Sequence, residues 1–198
     1  MFIDSKGYKR KPVAYLADFQ MFLPNAEETV KTWRQICDKY GIIALFPSDE
    51  PVEDEYKPYI PKDDSLKERA IKIYVHNCNQ MKRCDMVIAQ LDNWRSFAPD
   101  SGTAWETGYC LALNKPCYGY VTDYNYLYNR STFDKYVDED GITRGLDNLA
   151  VEQRDFVMDN IFSLVKIAPS FIEACKLARK DFDKQLIEKG YEPFQVKE

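Results

Sequence analysis

A chain of 198 residues, 45% hydrophobic and 30% charged, fits one soluble domain with a core of ordinary size. Its 27 basic and 32 acidic residues leave a net charge of −5, which argues against a nucleic-acid groove lined by Lys and Arg. No apolar run approaches the roughly 20 residues of a membrane span, and residues 1–11 are too polar for a signal-peptide core, so a cytoplasmic location is the default expectation.

In chain order, residues 13–17 form a short apolar run that predicts a buried first strand. Asn25 is placed to cap a helix over 26–40, with Glu28 completing a capping box and Gly41 ending the helix. Val30, Trp33, Ile36 and Cys37 give that helix one apolar face. Residues 42–46 predict the second strand. Strand, helix, strand at this spacing is the pattern of a parallel sheet with crossovers. Residues 47–64 carry four prolines and seven acidic residues without periodicity, and read as a long acidic loop. A helix is predicted over 66–83, with Ile71, Val75 and Cys78 inward, followed by a third strand at 86–89. A helix over 102–114 and a fourth strand at 117–121 come next. Residues 122–147 read as irregular, with Gly141 and Gly145 as breakers. Two more helices are expected, over 148–165 and from 169 or 170 onward, the last packing on the sheet or on a partner chain. The whole is expected to be one α/β domain, residues 1–198, with residues 151–198 as a C-terminal helical extension.

Open parallel sheets build their sites beyond the carboxyl ends of the strands. Glu106 follows the third strand on a helix, and Asp100 stands six residues before it. Paired carboxylates are what glycosidic chemistry needs, one at the anomeric carbon and one to protonate the leaving group. Near a helix N-terminus Glu106 is expected to stay ionised, and Gly102 leaves backbone exposed to a sugar hydroxyl. Without further information, Asp100 reads equally as a helix cap and Glu106 as a surface residue. The loop has neither the lysine of a phosphate-binding loop nor the three-glycine dinucleotide pattern. His76, the single histidine, is expected on a helix surface or in packing, and Cys110 as a buried thiol. Six cysteines without a CxxC pair predict reduced thiols, and no metal or cofactor is expected.

Several segments resemble the nucleoside 2-deoxyribosyltransferase family: residues 15–17 with 22–24, 36–41 leading into 45–47 and Asp49, 84–89, and 148–149. The most specific is Asp100-Ser101-Gly102-Thr103-Ala104-Trp105-Glu106-Thr107-Gly108-Tyr109, continuing through 112–116. The resemblance covers residues 13 to about 150. It implies a doubly wound, flavodoxin-like three-layer sandwich and movement of 2-deoxyribose between nucleobases. It implies Glu106 as nucleophile of a covalent intermediate with the β anomer retained, Asp100 as the group that helps protonate the base, and Tyr15 as the residue that positions Glu106. Asn148 would be lent to the sugar site by a neighbouring subunit of a homodimer or homohexamer. Asn77, Asp18, Phe22, Asp49, Trp94, Arg95 and Gly102 complete the expected substrate-binding set.

Three departures from the family pattern stand out, the mildest being Leu149-Ala150 in place of a commoner Leu-Met. Asp18-Phe19 replaces a common Gly-Pro after the first strand, changing the pocket floor. Asn77 stands where many relatives carry an aspartate, and an amide cannot deliver a proton as an acid does. The expected partners are 2'-deoxynucleosides and free nucleobases, not nucleic acid or membrane. The alternative reading is an N-glycosidase that hydrolyses a nucleoside or its 5'-monophosphate, with Arg95 and Ser96 near the phosphate. The acidic loop argues against that dianion. A non-catalytic base sensor is a third reading, weighed down by the intact Asp100, Glu106 and Tyr15.

Overall fold

The computed structural model describes residues 10–49, 65–95, 99–122, 135–141, 143–145 and 164–193. Strands β1 (Val13–Ala17), β2 (Ile43–Leu45), β3 (Met86–Gln90), β4 (Cys117–Tyr120) and β7 (Lys166–Ala168) form one parallel sheet in the order β2-β1-β3-β4-β7. A separate antiparallel pair joins β5 (Lys135–Val137) to β6 (Thr143–Gly145). The helices are α1 (Ala26–Lys39), α2 (Leu66–Arg83), α3 (Ser101–Ala112) and α4 (Phe171–Glu188). Among the described residues, no helix is long and apolar enough to cross a membrane.

The sheet is covered on both faces, which is why β1 and β3 read as continuous apolar runs rather than alternating ones. Residue parity sorts the two cores. Ala14, Leu16, Met86, Ile88, Tyr118 and Tyr120 pack with residues of α1 and α4. Tyr15, Ala17, Val87, Ala89 and Cys117 pack on the other face, with Met81 of α2 and Cys110 of α3. Strand order reverses at β1 and β3, the place where doubly wound sheets open a crevice.

Local signals explain most boundaries. Ser65 and Glu68 form the reciprocal capping box of α2. Asp100 caps α3 and Ser170 caps α4. The expected box at α1 does not form: Asn25 makes no side-chain cap bond and reaches Thr29 Oγ1 at 3.4 Å instead. The inward face of α2 also differs from expectation. Ile71 and Val75 are exposed, while His76, Cys78, Gln80 and Met81 are buried. Cys78 is inward as expected, but the buried side of the helix also carries His76 and Gln80, so hydrophobic periodicity misplaced Ile71 and Val75.

The C-terminal region contributes more than helices. β7 pairs with β4 as the fifth strand, and α4 packs on the sheet through Phe171, Ala174, Cys175, Ala178, Phe182 and Leu186. Three residues are too few to carry a readable period, and β7 is legible only from its pairing. The β5–β6 ladder likewise occupies a stretch expected to be irregular, its connection turning at Gly141 with φ 78°. All six cysteines are free and buried, as small apolar residues. The expected helix over 148–165, Asn148, Leu149-Ala150, Ser96 and the acidic loop from residue 50 to 64 lie outside the described residues, apart from the end of that helix span at 164 and 165.

Candidate active site

A cavity of about 420 Å³ opens beyond the carboxyl ends of β1, β2 and β3. That volume suits a small organic ligand. Asp18, Phe22, Asp49, Asn77, Asp100, Gly102 and Glu106 line it, seven of the residues expected from sequence.

Glu106 lies in the second turn of α3, buried against the sheet ends. Its Oε1 accepts hydrogen bonds from the Tyr15 hydroxyl at 2.7 Å and Asn77 Nδ2 at 3.1 Å. Parity delivers Tyr15: as an odd residue of β1 it points to the α2 and α3 face, where it is fully buried. The side-chain partners of Glu106 are therefore a phenol and an amide, not the helix-terminal amides expected from sequence. Burial raises the Glu106 carboxyl to about 7, the negative charge of Asp100 adds to the rise, and the bonds from Tyr15 and Asn77 oppose it. The expectation that Glu106 stays fully ionised is corrected by this desolvation. Burial, reinforced by Glu106, likewise pushes the Tyr15 phenol up, which keeps it a proton donor.

Asp100 caps α3 and lines the cavity. Its Oδ2 accepts from Thr103 N at 3.0 Å and Thr103 Oγ1 at 3.3 Å, closing the first turn of α3. Gly102 keeps that carboxylate in place. A Cβ there would lie 2.9 Å from Asp100 Oδ2 and displace it. Asn77 lines the cavity with Nδ2 committed to Glu106, while its buried Oδ1 has no hydrogen-bond partner among the described residues.

Other residues differ from expectation. Asp49 lines the cavity, but its carboxylate holds the wall together: it pairs with Arg34 and accepts from Phe46 N at 2.8 Å. Trp94 and Arg95 are not among the cavity-lining residues. Trp94 stacks on Phe19 with ring centres 4.4 Å apart, and Arg95 lies over the Trp94 ring. His76 is buried, in keeping with the packing role that was one of its two expectations, and it also lines the cavity. Its Nε2 is 2.5 Å from Gln80 Nε2, and that amide also donates to the Asp49 carbonyl. Among the described residues, Met21, Pro47, Ser48, Ile73 and Thr103 also line the cavity and were not expected as site residues. All five lie within four residues of an expected site residue, which was the available signal. Among the described residues, no group of three or more His, Cys, Asp or Glu could hold a metal ion.

The sequence profile of the nucleoside 2-deoxyribosyltransferase family matches residues 14–161. This chain belongs to the nucleoside 2-deoxyribosyltransferase family. An uncharacterised protein of Schizosaccharomyces pombe is 39% identical over 116 residues, which is 57% of this chain and 51% of that protein. The chain thus spans about half the length of the curated relative it matches. A 2-deoxyribosyltransferase structure from Leishmania mexicana superposes with a TM-score of 0.57 at 23% identity, covering 85% of this chain and 97% of that one. A 2-deoxyribosyltransferase from Bacillus psychrosaccharolyticus superposes with a TM-score of 0.42 at 19% identity, covering 62% of this chain and 92% of that one.

The geometry makes one prediction about Tyr15. Its hydroxyl stabilises the ionised form of Glu106, so Tyr15→Phe is expected to move the acid limb of any Glu106-dependent activity to higher pH. Activity at neutral pH should fall roughly tenfold or more, within the range of a lost charge-assisted hydrogen bond. A pH–rate profile of the variant checks it, and an unmoved limb would contradict the assignment.

Proposed function

We propose that this chain transfers the 2-deoxyribosyl group between nucleobases by double displacement at Glu106. The observation that carries the reading is the buried Glu106 carboxyl, held by Tyr15 and Asn77 in a cavity wall beside Asp100.

The ionised Glu106 oxygen attacks the anomeric carbon of a bound 2'-deoxynucleoside. The bond from that carbon to the base nitrogen breaks, and its electron pair stays on the base. A proton from solvent, relayed through Asp100, reaches the departing base. A second base then attacks the same carbon, Glu106 leaves with its electron pair, and the proton of the incoming nitrogen returns to Asp100. Two inversions retain the β configuration. Desolvation favours this chemistry, because an ionised carboxylate with few donors is relieved when positive charge develops on the sugar carbon. Membership of the family supports transfer as the reaction. A homo-oligomer in which a neighbouring subunit lends Asn148 to the sugar, and a role in cytoplasmic nucleoside salvage, belong to the same reading.

The test is base exchange. Deoxycytidine, thymidine and deoxyinosine are each mixed with adenine and the purified protein, and products are separated by chromatography. New deoxyadenosine is expected from at least one donor, with ribonucleoside donors much slower. Release of free base at a rate indifferent to the acceptor would overturn transfer and favour hydrolysis.

A further inference from the structure

The cavity wall holds another carboxylate that the transfer scheme leaves idle. Asp18 follows β1, is buried, and lines the cavity. Its Oδ2 accepts from the Trp33 indole nitrogen at 2.8 Å and the Tyr120 hydroxyl at 3.0 Å. Its Oδ1 accepts from Gln20 N at 2.7 Å. These donors come from α1, β4 and the short turn after β1. They are themselves fixed. Trp33 stacks on Phe171 with ring centres 4.4 Å apart, Tyr120 meets both rings edge-on, and Gln20 is tied to Gln90 at 3.1 Å.

An ionised carboxylate has about four acceptor positions, two on each oxygen. Among the described residues, donors fill the two on Oδ2 and one on Oδ1. Rotation of the carboxyl would strain all three bonds, so the one open acceptor position is held in place. Burial, aided by the charge of Asp92, outweighs the three donors and holds the carboxyl above its ordinary value, so a fourth donor would favour the ionised form. The same wall carries Met21, Phe22 and Pro47, an apolar surface suited to a flat ring. Asn77, Asp100, Thr103 and Glu106 supply the polar groups suited to the sugar.

On the transfer reading above, we propose that Asp18 reads the nucleobase by accepting a hydrogen bond from an exocyclic amino group, so that the site takes amino bases in preference to their oxo counterparts. An amino group at the open position gives the carboxylate its fourth donor. An oxo group there sets two acceptors against each other, away from water, with no donor between them. Adenine and cytosine fit this rule, and hypoxanthine and uracil do not.

Matched ligands test it by binding, apart from turnover. The full chain carrying Glu106→Gln is titrated calorimetrically with deoxyadenosine against deoxyinosine, and with deoxycytidine against deoxyuridine. The amino member of each pair is expected to bind at least about tenfold tighter, and Asp18→Asn in the same background should bring each ratio to about one or invert it, since an amide offers a donor. Asp18→Ala should also erase the preference and serves if the Asn variant fails to fold. Equal or inverted affinities with Asp18 intact overturn the proposal, as does a preference that survives its replacement. If base exchange proceeds while the ratios are flat, only the role of Asp18 falls. If no nucleoside binds and no exchange occurs, the transfer reading falls with it.

Discussion

Replacing Glu106 with Gln is expected to lower kcat/KM for base exchange by at least about 1,000-fold while leaving the fold intact. At about 1.4 kcal/mol per tenfold, that is roughly 4 kcal/mol of transition-state stabilisation. The amide keeps the shape of the carboxyl and an oxygen able to accept from Tyr15 and Asn77, so the wall of the cavity need not move. What it loses is the anionic oxygen that bonds to the anomeric carbon. Steady-state kinetics with circular dichroism on the same sample checks both halves. Near-normal turnover would remove Glu106 from the role of nucleophile. Loss of activity together with loss of fold would be answered by Glu106→Ala.

The second large effect is on pH dependence, and it follows from the same burial. Glu106 titrates near its ordinary value of 4.5 in the unfolded chain and at about 7 when folded. Activity needs the ionised form, so kcat/KM should rise about tenfold per unit as pH approaches 7 from below, and level off above it. Stability runs the other way. Between 4.5 and about 7 the folded chain binds more protons at this site than the unfolded chain, so the site favours folding at low pH and loses that contribution as pH rises through about 7. The rise from 4.5 to about 7 corresponds to roughly 3 to 4 kcal/mol at about 1.4 kcal/mol per pH unit. Glu106→Gln has no such proton, so its stability relative to the parent should increase by up to roughly 3 to 4 kcal/mol between pH 4 and pH 8. Denaturant midpoints of the two proteins across that range measure it, and taking the difference cancels the other titrating groups. A constant difference would mean that Glu106 is not desolvated in the folded chain.

These two expectations share a physical cause. The carboxyl is positioned where water cannot fully solvate its charge, at a cost to the folded state when it ionises. A sugar carbon with developing positive charge would offset that cost, and the site is organised to favour that state over the empty one. Asp100, close enough to raise Glu106 further, adds to the same imbalance. Asn77 in place of an acid leaves Asp100 as the candidate to move the proton, and its carboxylate has one oxygen engaged in capping α3 and the other outside the cap bonds.

The sequence by itself determined the layered architecture, because strands buried on both faces must be apolar throughout and crossover helices must carry one apolar stripe. It placed β1, α2, β3 and β4 to within a residue or so, and the order of those elements put Asp18, Asp49, Asn77 and Glu106 at one edge of the sheet. Family resemblance named Tyr15 and Glu106 together, although 91 residues separate them. Only the tertiary structure decided how those residues meet. Burial of Glu106 depends on Tyr15 arriving from β1 and Asn77 from α2, and a pKa set by desolvation has no trace in local spacing. The clamp on Asp18 draws on Trp33 and Tyr120, which sit 15 and 102 residues away and looked like core aromatics. The same holds for β7, which is a strand because β4 has a free edge beside it. It holds too for Asp49 and His76: one turned out to brace the wall and the other to line it, since a polar side chain takes its role from the groups that surround it.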